Sequence, residues 1–221
     1  MTETAPPAPV KLDIISDPIC PWCYIGKARL EAALAERPGH PFVIEWHPFQ
    51  LNPDMPEGGM DRRAYLEAKF GGKEGAAKAY APVAEHAEEA GLTLNLERMA
   101  RVPNTVDAHR LIHWAGIERK QNAAVDALFQ AYFVEGRDIG DHEVLADIAD
   151  GIDMDAAVVL KLLASEADRD DIRARDTHSR EMGVNSVPTF IVAQKHAVPG
   201  AQPADLWVKV IDEITGQAAA E

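Results

Sequence analysis

Residues 16–27 read SDPICPWCYIGK and hold both cysteines of the 221-residue chain, Cys20 and Cys23, with Pro21 and Trp22 between them. Two thiols at this spacing can supply half of a zinc site, close as a structural bridge, or exchange disulfides with a substrate. A structural zinc takes four ligands, and the chain has no second cysteine pair. Two histidines could complete such a site, and HRLIH sets His109 and His113 at i, i+4. A bridge across two residues closes a very small loop and stabilises little. Exchange chemistry needs a thiolate. A free cysteine with a pKa of about 8.5 is only about 3% thiolate at pH 7. Unpaired N–H groups and the dipole at a helix N-terminus favour the charge, and a pKa near ~6.5 would make roughly three quarters of the thiol reactive.

The flanking elements offer such a terminus. Val10–Ser16 is short, apolar and β-branched, and Asp17-Pro18 turns the chain after it. From Trp22 to Glu36 the pattern is helical, and Pro38-Gly39 ends it. Pro41 to Trp46 reads as a second strand, so this region is a βαβ unit with a parallel pair. Cys20 then stands at the helix start, where Pro21 costs no hydrogen bond. Cys23 falls one turn further in, placed to close on Cys20. The expected roles are attack by Cys20 and resolution by Cys23.

After the loop HPFQLNPDMPEGG, helix signals dominate from Asp61 to about Met182. Asn104 reads as an N-cap with Asp107 completing a capping box, and Asp141 and Asp153 read as caps of two further helices. Val125, Leu128, Phe129, Tyr132 and Phe133 keep the spacing of one amphipathic helix. Residues 164–183 read as a solvated helix. Strand character returns in PTFIVA, KHAVPGA reads as its hairpin partner, and PADLWVKVIDEITG is a last helix with Leu206, Val210, Ile211 and Ile214 on one side. Val187-Pro188 enters the returning strand, either as a cis peptide or as a plain strand-start proline.

The formal net charge of -14 argues against nucleic acid, whose phosphates need clustered Lys and Arg. No stretch approaches the ~20 apolar residues of a membrane span. MTETAPPAPVK has no basic start, apolar run or cleavage site, so a secretory signal is not expected. A cytoplasmic protein is expected, where a close cysteine pair is more often catalytic or metal-binding than structural.

DPICPWCYIGK, the helical block and GVNSVPTF together resemble the thioredoxin-fold DsbA superfamily, and more narrowly its FrnE-type cytoplasmic branch. WHPFQLNP, NTVDAHRLIHWA, AYFVEGRDIGD and VPGAQP are similar to that branch as well, so the likeness runs from about Val10 to Gly216. It implies an α/β thioredoxin fold interrupted by a large all-helical insertion domain. The expected division is residues 10–58 and 184–217 for the thioredoxin-fold domain, 59–183 for the insertion, and flexible tails at 1–9 and 218–221. The resemblance also implies a cis Pro188 beside the cysteine pair and a Val187 backbone that pairs with an extended substrate segment. Catalytic Cys20 and Cys23, motif residues Pro21 and Trp22, and substrate-binding Val187 and Pro188 are carried over on these matches. Some FrnE relatives have further cysteines, and this chain has none.

His109 reads either as a surface or interdomain residue or as a border of the cleft above Cys20. Asp17 reads as an ordinary turn residue, and Trp22 as an exposed ring at the rim of the site. The acidic runs at 85–89 and 166–171 read as solvated faces. The leading functional expectation is a protein dithiol–disulfide oxidoreductase of oxidase or isomerase type. It needs no cofactor or metal beyond the Cys20–Cys23 pair, and takes thiol- or disulfide-containing proteins as substrates and glutathione as a candidate redox partner. The alternative is a glutathione-dependent 2-hydroxychromene-2-carboxylate isomerase or kappa-class glutathione transferase-like enzyme. Those usually carry serine where this chain has Cys20.

Overall fold

The computed structural model describes residues 8–216. The tails expected at 1–9 and 218–221 lie outside these residues, except for Ala8 and Pro9. Strand β1 (Val10–Ser16) leads through the cysteine turn into α1 (Pro21–Glu36) and then β2 (Phe42–Pro48), which pairs with β1 in parallel from Val10↔Phe42 to Ser16↔Pro48. The βαβ unit read from the sequence is therefore present. A two-residue ladder of β3 (Met60–Asp61) and β4 (Arg101–Val102) spans α2 (Arg62–Phe70) and α3 (Lys73–Glu89). Helices α4 (Val106–Ile117), α5 (Gln121–Phe129), α6 (His142–Gly151), α7 (Ala156–Leu163) and α8 (Arg169–Glu181) follow. The chain closes with β5 (Thr189–Val192), β6 (His196–Pro199) and α9 (Ala204–Thr215).

Among the described residues the main sheet runs β2-β1-β5-β6, with β5 antiparallel to both of its neighbours. β1 is thus internal, and Leu12, Ile14 and Ile15 are buried on its two faces. Lys11 and Asp13 alternate with Val10, Leu12 and Ile14, and the two charges pair at 3.0 Å. The last helix packs with its buried stripe on Trp207 and Ile211, not evenly over the four residues expected, and Trp207 meets Phe190 of β5 edge to face at 4.7 Å. Leu206 is exposed. Arg37 at the end of α1 holds Asp212 of α9 through two hydrogen bonds, 2.7 and 3.0 Å.

Several caps differ from the sequence reading. Thr105 is the N-cap of α4, while Asn104 accepts from the Val106 N–H. Asp107 is drawn away from the capping box by Arg110 and Arg169 and by the His142 imidazole. Asp141 caps α6 as expected, but Asp155 rather than Asp153 caps α7. The carbonyls at the end of α7 and beyond it, Leu162, Leu163, Ser165 and Ala167, accept from the fully buried Arg110 guanidinium. Such carbonyls have no partner inside their own helix, and the five donors of arginine suit the task.

The Val125–Phe133 stripe is not one α-helix. After Phe129 the backbone widens into a π-helical turn, Gln130–Glu135. Tyr24, next to Cys23, stacks on both Phe129 and Phe133 at 5.2 and 5.4 Å, and this clamps α1 to the helical block. Helix α8 is not simply solvated either. Ile172, Asp176 and Ser179 form a buried stripe, and α8 packs along β2.

Candidate active site

Cys20 is the N-cap of α1, with extended backbone, φ -86° and ψ 114°. Its N–H donates to the Asp17 carbonyl at 2.9 Å, and its own carbonyl accepts from Cys23 and Tyr24. This turn is what the DPIC sequence builds. Pro21 fills the first helical position, where a missing N–H is harmless. The thiols are free, and both are buried, Cys20 at 3% and Cys23 at 1% exposure. Burial pushes the Cys23 thiol well above its ordinary pKa, reinforced by the neighbouring Cys20, while Ser16 and the Asp17 backbone oppose the shift.

The Val187–Pro188 peptide is cis. The Cys20 Sγ–H donates to the Val187 carbonyl at 3.6 Å, so the loop before β5 lies directly against the thiol. The loop is braced by Thr189 Oγ1 donating to Ser186 O and Gly200 N–H donating to Pro188 O, both at 2.8 Å. Gly26 permits the approach of α1. A Cβ there would stand 3.0 Å from Pro188 Cγ and 3.4 Å from Phe190 Cζ. Sequence reading gave Gly26 no role, since the close neighbour is 162 residues away in the chain.

Cys20, Pro21, Trp22 and Val187 line a cleft of about 330 Å³. Its opposite wall comes from α2, α3 and the π-helical turn, through Tyr65, Tyr80, Val83 and Tyr132 among others. Asn52 lines it too. Its Oδ1 accepts from Tyr65 Oη at 2.6 Å, and its Nδ2 has no partner among the described residues. Trp22 is half-buried rather than exposed, because α3 covers it and His86 packs on its ring at 5.4 Å.

His109 does not border this cleft. It is 3% exposed, because α4 is enclosed by β2, α5, α6, α7 and α8, so even the flank of its apolar stripe meets protein. Its Nε2 lacks a hydrogen-bond partner and lies 3.9 Å from Asp17 Oδ1. Burial lowers the His109 pKa to about 4. Asp17 is no ordinary turn residue. It is fully buried, and its carboxyl accepts from the Leu51 N–H at 2.7 Å and from Ile19 at 3.3 Å. Burial raises its pKa to about 7 against these bonds and one from Thr105. The signal was present in the sequence as a carboxylate three residues before a reactive cysteine, but its burial depends on the distant Leu51 and Thr105.

His113 does not join the cysteines either. Its Nδ1 accepts from Arg175 at 3.1 Å. Asp13, Glu45 and His47 bring three potential metal-ligating atoms together on β1 and β2. The Lys11 ammonium already bridges both carboxylates, at 3.0 and 2.8 Å, and supplies the positive charge a cation would bring. No helix among the described residues is long and apolar enough to cross a membrane.

A four-stranded α/β sheet with a dithiol at the start of its first helix, facing a cis-proline loop, defines a thioredoxin-like protein. The chain belongs to the DSBA-like thioredoxin domain family, whose pattern matches residues 11–212. It is similar to the uncharacterized protein YwbO of Bacillus subtilis (strain 168), with 29% identity over 205 residues covering 92% of this chain and 96% of that one. Its fold is similar to a probable DsbA oxidoreductase from Streptomyces coelicolor, with TM-score 0.82, 31% identity, and coverage of 96% and 92% of the two chains. A 2-hydroxychromene-2-carboxylate isomerase (TM-score 0.72, 18% identity, 94% and 97% covered) shares the fold. So does the cytosolic disulfide reductase DsbM from Pseudomonas aeruginosa, in a structure with GSH (TM-score 0.64, 19% identity, 93% and 99% covered).

Proposed function

We propose that the protein is a dithiol–disulfide oxidoreductase of oxidase or isomerase type, working through Cys20 and Cys23. The observation that carries the reading is the position of Cys20. It caps α1, touches the Val187 carbonyl and forms part of the wall of a cleft. In the reductive direction the Cys20 thiolate attacks a substrate disulfide, forms a mixed disulfide and expels one substrate thiolate. Cys23 then loses its proton and attacks the Cys20 sulfur. The Cys20–Cys23 bond forms, the second substrate thiolate leaves, and the enzyme has given up two electrons. The oxidative direction is the reverse.

Cys20 is proposed as the attacking sulfur because it stands at the start of α1 and borders the cleft. The cleft wall suits apolar or aromatic residues beside a substrate cysteine, and the Val187 backbone is proposed to pair with the substrate chain. In this reading residues 10–58 and 184–217 form the catalytic thioredoxin-fold domain, and 59–183 form an insertion that roofs the cleft with α2 and α3. Glutathione is proposed as the small-thiol redox partner, in a cytoplasmic setting and without further cofactor.

Turnover of a peptide disulfide, read by mass spectrometry in a glutathione buffer series, tests the assignment. Cys20→Ser should abolish exchange, and Cys23→Ser should accumulate mixed disulfide on Cys20. Full activity in Cys20→Ser would sink it. Micromolar glutathione binding without peptide turnover would favour the isomerase class instead.

A further inference from the structure

β2 is a free edge of the main sheet. The edge is closed at one point by a side chain. Gln121 Oε1 accepts from the Trp46 N–H at 2.9 Å, and Gln121 Nε2 donates to the Trp46 carbonyl at 3.1 Å. The amide thus stands where one residue of a neighbouring strand would stand. Strand alternation turns the Ile44 N–H and C=O to the same side as those of Trp46. β1 is the only sheet neighbour of β2 among the described residues, so these groups of Ile44 face the open edge.

A groove of about 1010 Å³ runs along this edge, between β2 and the turn that joins α4 to α5. It exposes two large apolar side chains, Val43 at 56% and Ile117 at 72%. Its charge is opposite to that of the chain. Lys11, Arg119, Lys120 and Arg175 line it against one carboxylate, Glu45, in a protein of net charge -14. Lys11 is held by Asp13 and Glu45, and Lys120 by Glu118. Arg119 pairs with no carboxylate among the described residues, and Arg175 reaches Asp171 only at 3.9 Å. Arg175 instead donates to the Nδ1 atoms of His113 and His47, which fixes its guanidinium at the groove.

We propose that this groove receives a short extended acidic segment of a partner protein, added to β2 beyond Gln121. The Ile44 backbone would supply the strand pairing, Val43 and Ile117 the apolar contacts, and Arg119 and Arg175 the choice of acidic side chains. A second copy of this chain fits less well, because a two-fold axis through the groove would set its cations against themselves. The site lies on the edge of the sheet and uses none of the groups that line the Cys20 cleft, so it stands whether or not the redox assignment does.

Fluorescence anisotropy of the full-length protein with a labelled seven-residue peptide of alternating Glu and Val provides the test. Saturable binding is expected, together with loss on replacing the central Val by Pro and no saturation with the Lys-Val counterpart. Arg119→Glu, on an exposed turn, should weaken binding several-fold, and Arg119→Glu with Arg175→Glu by about tenfold or more. Equal binding of the Lys-Val peptide, unchanged affinity in both variants, or no binding at low salt would overturn the proposal. A homodimer that Arg119→Glu dissociates would assign the groove to a second copy and overturn it as well.

Discussion

Asp17 Oδ1 lies 3.9 Å from His109 Nε2, with both side chains out of reach of solvent. That is too long for a hydrogen bond. With Asp17 titrating at about 7 and His109 at about 4, both groups are neutral between those values, so the contact there is not an ion pair. Burial has moved the two in opposite directions, and the consequences for stability carry opposite signs. The Asp17 value is raised above its reference of 3.8, so its contribution is complete below about pH 4 and is lost as pH rises towards 7. The His109 value is lowered from 6.5, so its contribution is complete above 6.5 and is lost as pH falls towards 4. Asp17→Asn should therefore gain stability relative to the parent as pH rises from about 4 to 7, and His109→Gln should gain as pH falls from 6.5 to 4. The ceiling for the Asp17 effect is about 4 kcal/mol. Urea unfolding across this range measures both slopes, and curves parallel to the parent in both variants would contradict the assignment.

The two thiols should differ in reactivity although both are nearly buried. Cys20 borders the cleft, and Cys23 is held protonated by its burial. Iodoacetamide at pH 7 should label Cys20 at least about tenfold faster than Cys23, since only the thiolate reacts. Peptide mapping at early times reads the ratio. Comparable rates would show that Cys23 is neither as enclosed nor as protonated as described.

Gly26 should be the glycine of α1 that does not tolerate a methyl group. Gly26→Ala must displace Pro188 or tilt α1, with an expected cost of about 1–3 kcal/mol. Gly39→Ala, which meets nothing within 4 Å, is the control and should be near neutral. Peptide-disulfide exchange by Gly26→Ala should fall by more than its loss of folded protein explains, because Val187 moves with Pro188. A variant with parental exchange and stability would mean that the contact is slack.

Arg110 should be among the most costly side chains to remove. Arg110→Ala strips partners from four carbonyls and leaves Asp107 with fewer cations. A loss of about 3–5 kcal/mol is expected by chemical denaturation. A change below about 1 kcal/mol would show that water replaces the guanidinium without penalty.

The sequence displayed the elements whose signals are local. The βαβ unit, the dithiol at a helix start, the returning hairpin and most helices follow from period, caps and turn residues. What stayed hidden depends on partners far along the chain. Asp17 looks like half of an Asp-Pro turn until Leu51 and Thr105 close over it. His109 sits off the apolar stripe of α4, and only the enclosure of that helix on several sides buries it. Gly26 looks like any helix glycine until Pro188 arrives. The π-helical turn kept the i, i+4 aromatic spacing that an α-helix would show, so periodicity alone could not reveal it.

The contact between Cys20 and Val187 spans 167 residues of chain. At ribosomal rates of about 5–20 residues per second, the CPWC segment is made roughly 8–33 s before the loop that will lie against it. Through that interval the nascent chain carries a strand–helix–strand start with a vicinal dithiol and no opposing wall. β1 also lacks its β5 neighbour until Thr189–Val192 is made. The pairing of thiol and loop therefore waits for Val187 to emerge, and a chain truncated before it would carry the dithiol without the wall that faces it.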